Sequence, residues 1–152
     1  VGAVKYAYLS QDREKDVVFD TDKATALEWN SGPYIQYASV RAQEILRQAG
    51  DVSFDYSLSS EMVSSYDREL LLILSESLKT IIDAHSRVKP HMIALQAYAI
   101  ASMFNAFYSH SGKITTEEDL NLKAWRLSLV RASYEHLRTL FALMAIPLPQ
   151  HM

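Results

Sequence analysis

The stretch 30-NSGPYIQYASVRAQEILRQAG-50 carries the start, body and stop signals of one helix. Asn30 or Ser31 can cap its N-terminus, because their side-chain oxygens accept from backbone N–H groups that have no partner inside the helix. Pro33 suits the first turn, where its missing N–H would be unpaired in any case. Gly50 suits the end, where a left-handed residue is usually needed. Between these caps Ile35, Ala38, Ala42, Ile45 and Ala49 recur at steps of 3, 4, 3 and 4 and form one apolar stripe. A second stripe, Tyr34, Tyr37, Arg41, Glu44 and Gln48, runs beside it. Two aromatic rings and a guanidinium on one edge can hold a planar, anionic partner. Equally, the tyrosines can be half-buried packing residues, with Arg41 paired to Glu44.

Working outward, 65-SYDRELLLILSESLKTIIDAHS-86 reads as a helix with Leu70, Leu74, Leu78, Ile81 and Ile82 on one face and Ser65 as its cap. Pro90 opens 90-PHMIALQAYAIASMFNAFYSH-110, whose stripe is Ile93, Ala97, Ile100, Phe104 and Phe107; Gly112 ends it. Thr115 and Glu118 have capping-box spacing and predict a last, longest helix from about Glu117 to Met144. Pro147 and Pro149 keep the tail 146-IPLPQHM-152 extended. Upstream, VGAVKYAYLS places Val1, Val4, Ala7 and Tyr8 at helical steps; 16-DVVFD-20 suits an extended segment; Asp22 can cap a short helix over residues 23–28. The Ser- and Asp-rich run 51-DVSFDYSLSS-60 reads as a loop. The expected fold class is all-α, a bundle of four long amphipathic helices, with no sheet beyond a small ribbon near residues 16–20.

A chain of 152 residues suits one domain and can bury roughly 70% of its unfolded surface. It has no Cys, so disulfides and thiolate metal sites are ruled out. No apolar run is long enough to span a membrane as a helix. Val, not Met, stands first, so the chain is expected to be a piece of a longer protein or a processed product. The net charge of −3 and pI near 5.9 are not those of a surface that binds nucleic acid by a general positive field. An RNA contact would have to be local, or another part of a larger protein would supply the field.

The chemistry of common active sites is missing. The five histidines, His85, His91, His110, His136 and His151, have no i, i+3 or i+4 pairing, so no metal site is expected. There is no Walker loop, dinucleotide fingerprint or nucleophile elbow, so no catalytic residue is assigned. Two polar constellations remain. On the helix after Pro90, Tyr98, Ala101, Asn105 and Tyr108 form a stripe; an Asn one turn from a Tyr can read a base edge while the ring stacks on its face. Otherwise Tyr108 closes the bundle end and Asn105 faces water. Lys123, Arg126, Arg131 and Arg138 on the last helix are either a solvated face or contacts to phosphates.

The string GPYIQYASVRAQEIL closely resembles the helix that opens the anticodon-binding domain of arginyl-tRNA synthetases, where a G/A-P-Y-x-Q-Y-A-x-x-R pattern is typical. The resemblance extends to both ends. GAVKYA-x-LS followed by FD resembles the family's junction between its catalytic half and this domain, FNAFY matches an F-x-x-F-Y pattern, and IPLPQHM resembles the family's ending. The Asp-Ala-Leu-Arg tetrapeptide behind the domain's family name is absent; RLSLVRASYEHLRTL stands in that region. The GPYIQYA string argues against the related domain of the cysteine enzyme.

The resemblance implies a junction segment over residues 1–28 and a helical anticodon-binding domain over residues 29–152. It implies recognition of the anticodon arm of arginine tRNA, within a cytoplasmic ligase that charges that tRNA using ATP. The ATP-binding signatures of class I synthetases, of HIGH and KMSKS type, are absent. No cofactor is therefore expected in this piece; ATP belongs to the full enzyme, whose catalytic domain is the other expected partner. In the family the tail packs against the opening helix and the last residue lies near the bound anticodon. The expected RNA-contact set is Tyr34, Tyr37, Arg41, Asn105, Tyr108 and Met152. Tyr34 and Tyr108 would stack, Arg41 would meet phosphate or a base edge, and Met152 would wall one pocket with the two rings. The alternative is a helical protein-interaction module with no RNA role.

Overall fold

A computed structural model describes residues 2–16, 19–28, 30–50 and 63–149. The elements are α1 (Gly2–Leu9), α2 (Thr21–Thr25), α3 (Gly32–Ala49), α4 (Ser65–Ser75), α5 (Ser77–Arg87), α6 (His91–Ser111), a single 3₁₀ turn (Ile114–Thr116) and α7 (Leu120–Leu143). The described residues contain no strand, as expected for an all-α bundle. The loop expected over 51–60 and residues 17 and 18 of the extended segment expected over 16–20 lie outside the described residues.

Helix α6 is the centre of the bundle and packs against α3, α4, α5 and α7. Its Ala97, Ile100, Phe104 and Phe107 are fully buried, joined by Ala94 and Ala101. The alanines let neighbouring backbones come close, and the two phenylalanines fill the space at the far end with rings 6.3 Å apart. Helix α3 supplies Ile35, Ala38, Ala42 and Ile45 to the same core, and α7 supplies Leu127, Val130, Leu137, Leu140 and Phe141. Contacts between Tyr34 and Tyr98, and between Arg41 and Asn105, show that α3 and α6 run in the same direction. Helix α7 runs back: its start meets the end of α6 through Arg126 and Ser111, and its end meets α1 through Phe141 and Tyr6.

The caps explain where several predicted boundaries move. Ser31 Oγ accepts from the Tyr34 N–H, and Gly50 ends α3 at φ 68°, as the sequence requires. Elsewhere the cap is a neighbour of the residue expected. Asp20, not Asp22, caps α2. Ser64, not Ser65, caps α4, in a capping box completed by Asp67. Asp119 caps α7; Thr115 lies in the preceding 3₁₀ turn instead of pairing with Glu118. An aspartate carboxylate two residues ahead of free N–H groups accepts two of them at once, which a threonine hydroxyl cannot match in charge.

The helix expected over residues 65–86 is two helices, broken at Glu76. The Gln96 side chain reaches from α6 and donates to Ile73 O at 2.8 Å and to Ser77 Oγ at 3.3 Å. Ile73 O is the acceptor that an unbroken helix would offer to the Ser77 N–H, so a side chain has entered the ladder there. The change of axis removes Leu78 and Ile82 from the expected face: Leu70 and Leu74 are buried, but Leu78 is 68% and Ile82 55% exposed.

In α1 the buried residue is Tyr6; of the expected stripe, Val4 and Tyr8 are exposed and Ala7 is half-buried. The Tyr6 hydroxyl is held between Asn30 Oδ1 (2.5 Å) and Ala94 O (3.0 Å). Burial, with a lesser contribution from Tyr98, pushes its ionisation well above the usual tyrosine range. Helix α1 also meets the tail: Lys5 Nζ donates to Ala145 O at 2.9 Å, while Gln36 of α3 donates to Pro147 O at 3.1 Å.

Candidate nucleic-acid interface

The seam between α3 and α6 gathers most of the residues singled out in the sequence. Each lies beside its helix's buried stripe, so packing of that stripe fixes where it points. Arg41 Nη1 donates to Asn105 Oδ1 at 3.0 Å, and Arg41 Nη2 donates to the Tyr37 hydroxyl oxygen at 3.0 Å. The guanidinium carbon sits 4.7 Å from the Tyr37 ring centroid and 5.2 Å from that of Tyr108. A cation between two ring faces is held by both quadrupoles. Tyr108 rests in turn against Phe104, with centroids 6.5 Å apart and planes 21° from parallel. Tyr37, Arg41, Asn105 and Tyr108 are therefore one cluster anchored on the core.

Neither hydrogen-bond partner of Arg41 carries a charge. The suggested Arg41–Glu44 pairing is replaced by a different ion pair: Glu44 accepts two bonds from Arg47, at 2.7 and 2.8 Å. Arg47 is one turn closer to the carboxyl end of α3, where a cation is also favoured by the helix dipole.

Tyr34 lies on the same seam but nearer the start of both helices. Its ring pairs with Tyr98 at 5.8 Å, tilted by 50°, whereas Tyr108 pairs with Phe104 and Arg41. Met152 lies outside the described residues. Beside Tyr108 a cleft of about 220 Å³ opens between Ile45, Gln48, Lys113 and Thr116; Tyr34 does not line it. A larger groove, about 510 Å³, runs between Gln43, Tyr134, Arg138 and the tail at Ile146–Pro149. Lys113 was not singled out in the sequence, because a lysine after a terminating glycine carries no pattern. Tyr98 was visible as part of a stripe, but its pairing with Tyr34 depends on the parallel packing of α3 and α6.

The basic residues of α7 do not act as one face. Arg126 turns inward, its side chain only 13% exposed, and bonds Glu117 at 3.0 Å and Ser111 O at 3.3 Å. Its Nε lies 3.9 Å from Asp67, which is fully buried. Desolvation of that carboxylate demands a nearby cation, so Arg126 is a structural charge and not a phosphate contact. Arg138 pairs with Glu135 at 2.6 Å on the surface.

The sequence matches the profile described as the DALR anticodon binding domain over residues 35–152. It is 36% identical to an arginine–tRNA ligase of Clostridium kluyveri and 35% identical to one of Pyrococcus furiosus, in each case over the whole of this chain. The chain spans about a quarter of the length of these curated relatives: 27% and 25%. Its fold is similar to part of the Thermus thermophilus arginyl-tRNA synthetase, with a TM-score of 0.89 at 29% identity over 99% of this chain and 26% of that one. The Plasmodium falciparum arginyl-tRNA synthetase shares the fold, with a TM-score of 0.80 at 23% identity over 99% of this chain and 26% of that chain. Among the described residues no helix is long and apolar enough to cross a membrane. The chain belongs to the DALR anticodon-binding domain family, and its relatives there are arginyl-tRNA synthetases.

Proposed function

We propose that this domain grips the anticodon arm of arginine tRNA on behalf of a cytoplasmic arginine–tRNA ligase, whose catalytic part uses ATP and lies in a region of polypeptide not in this chain. The observation that carries the proposal is the Tyr37–Arg41–Asn105–Tyr108 cluster: exposed aromatic surface, a guanidinium bonded only to neutral oxygens and an amide, all within one seam. Unpaired bases stack on rings while cations and amides meet phosphates and base edges. Tyr34 and Tyr108 serve as two separate stacking faces, Arg41 meets phosphate or a base edge, and Met152 contributes a further contact. Residues 1–28 serve as the junction to the catalytic part. With a net charge of −3, the long-range attraction for RNA comes from elsewhere in the enzyme.

A second function, a helical protein-interaction module, is favoured by one feature. Leu72, Leu78 and Ile82 are 64%, 68% and 55% exposed on α4 and α5. Fluorescence titration at low salt separates the two. Preference for arginine tRNA over a tRNA of another specificity supports anticodon-arm recognition; equal or no binding of both assigns the domain to protein contacts instead.

A further inference from the structure

The hydrogen-bond polarity of the Arg41–Asn105–Tyr37 cluster is fixed by Arg41. A guanidinium has only donors, so every atom it bonds must accept. Asn105 must therefore turn Oδ1 toward Arg41, and the usual ambiguity between amide oxygen and nitrogen is removed. Its Nδ2 makes no hydrogen bond among the described residues and is not sealed from solvent. The Tyr37 oxygen likewise accepts from Arg41, which leaves its hydroxyl proton directed elsewhere. The N–H groups of Arg41 not used in these two bonds are donors too. Lys113, exposed at the edge of the neighbouring cleft, adds another donor, beside the oxygens of Gln48, Tyr108 and Thr116.

We infer that the Arg41–Asn105 pair is a donor-only reader. It takes a group presenting hydrogen-bond acceptors to Asn105 Nδ2 and Arg41, and rejects one that presents an amino group there. The inference rests on the RNA-binding function proposed above and assigns the chemistry that Asn105 reads. In RNA the matching acceptors are the carbonyl and ring nitrogen of an unpaired base, or the two free oxygens of a phosphate. The exocyclic amines of adenine and cytosine are mismatched, because donor would face donor. Tyr37 and Tyr108 hold the guanidinium in place before any ligand arrives, so the polarity does not depend on induced ordering.

Asn105→Asp tests this. The carboxylate keeps the shape and retains a strong bond to Arg41, but it turns the outward donor into an acceptor. Ser109→Asp is the charge control: Ser109 is exposed, one turn further along α6, and its hydroxyl meets only the backbone carbonyl of Asn105, so the change puts the same charge nearby without altering the side chains of the reader. The probe is the anticodon stem-loop RNA of arginine tRNA, titrated against this chain by fluorescence. Asn105→Asp should lose at least about tenfold in affinity, the scale of one lost base-edge or charge-assisted contact, and Ser109→Asp should lose clearly less. Equal losses, or unchanged binding by Asn105→Asp, would overturn the donor-only assignment while leaving RNA binding intact. A wild-type chain that does not bind the stem-loop would instead remove the proposed function, and this inference with it. Modified RNAs identify the source of the acceptor. The Asn105→Asp penalty should vanish on an RNA with one abasic loop position if a base is read, or with one methylphosphonate linkage if a phosphate is read. A penalty that persists on every such RNA also overturns the assignment.

Discussion

Gln96 and Ile73 are joined by a hydrogen bond from the side-chain amide of one to the backbone carbonyl of the other, 2.8 Å long, where α4 gives way to α5. Gln96 is almost fully buried, and its amide also reaches Ser77. The break between the two helices is thus held by a polar group that comes from a third. Gln96→Leu keeps the volume and strands the Ile73 carbonyl, while Ser77 keeps His136. It should destabilise the domain by about 1–3 kcal/mol, the cost of leaving a buried polar group unpaired. Denaturant unfolding checks this; an unchanged midpoint would mean the break does not depend on Gln96.

The Asp67–Arg126 pair predicts a larger, non-additive effect. Arg126→Met removes the cation beside a fully buried carboxylate and should cost about 3–5 kcal/mol. Combining it with Asp67→Asn should cost less than the sum of the two single changes, since the second removes the stranded charge. Strict additivity in a double-mutant cycle would show that the pair does not couple.

His136 gives the domain an acid limit. Burial holds its imidazole below the ordinary histidine value, and Nδ1 lies 2.9 Å from Ser77 Oγ. The unfolded chain binds this proton more readily, near pH 6.5. Its contribution to stability is therefore complete above about pH 6.5 and is lost as pH falls through the depressed folded value. Thermal unfolding followed from pH 7 to pH 5 should fall less steeply for His136→Gln than for the wild type. Parallel curves would show that His136 titrates alike in both states.

Binding energetics at the seam should separate ring from charge. Tyr108→Ala or Tyr34→Ala should weaken binding of arginine tRNA by roughly 1–3 kcal/mol, the value of one base–aromatic stack. Arg41→Ala should weaken it too, and if Arg41 meets phosphate the salt dependence should become shallower by about one unit of slope. Arg126, tied to Asp67 and Glu117, should leave that slope unchanged in Arg126→Lys. A shallower slope for the Arg126 variant would place it on the RNA.

How much of this was legible in the sequence differs from element to element. Helices α3 and α6 were readable because their apolar steps, opening residues and terminating glycines agree with one another. The break at Glu76 was not, since nothing between residues 65 and 86 disfavours a continuous helix; the cause is Gln96, a residue of another element. Caps shifted by a few residues because Ser, Asp and Thr crowd each helix start, and local patterns do not say which one meets the free N–H groups. In the candidate site, spacing put Tyr37 beside Arg41 and Asn105 near Tyr108. That Arg41 joins the two pairs follows from the parallel packing of α3 and α6, which no local spacing encodes.

That packing gives the seam an electrical direction. In both α3 and α6 the peptide dipoles point the same way, so the two helices reinforce each other along their shared length. The positive end of α3 lies near Tyr34, that of α6 lies about two turns ahead of Tyr98, and the negative ends lie together near Gly50 and Gly112. Arg47 and Lys113 sit at the negative end, where cations compensate the exposed carbonyls. A polyanion laid along the seam meets a gradient instead of a uniform field, so its two orientations differ in energy. Photocrosslinkers at the 5′ and 3′ sides of a bound loop should then mark opposite ends of the seam, one beside Tyr34 and the other beside Lys113; equal marking of both ends by each would mean the strand feels no such polarity.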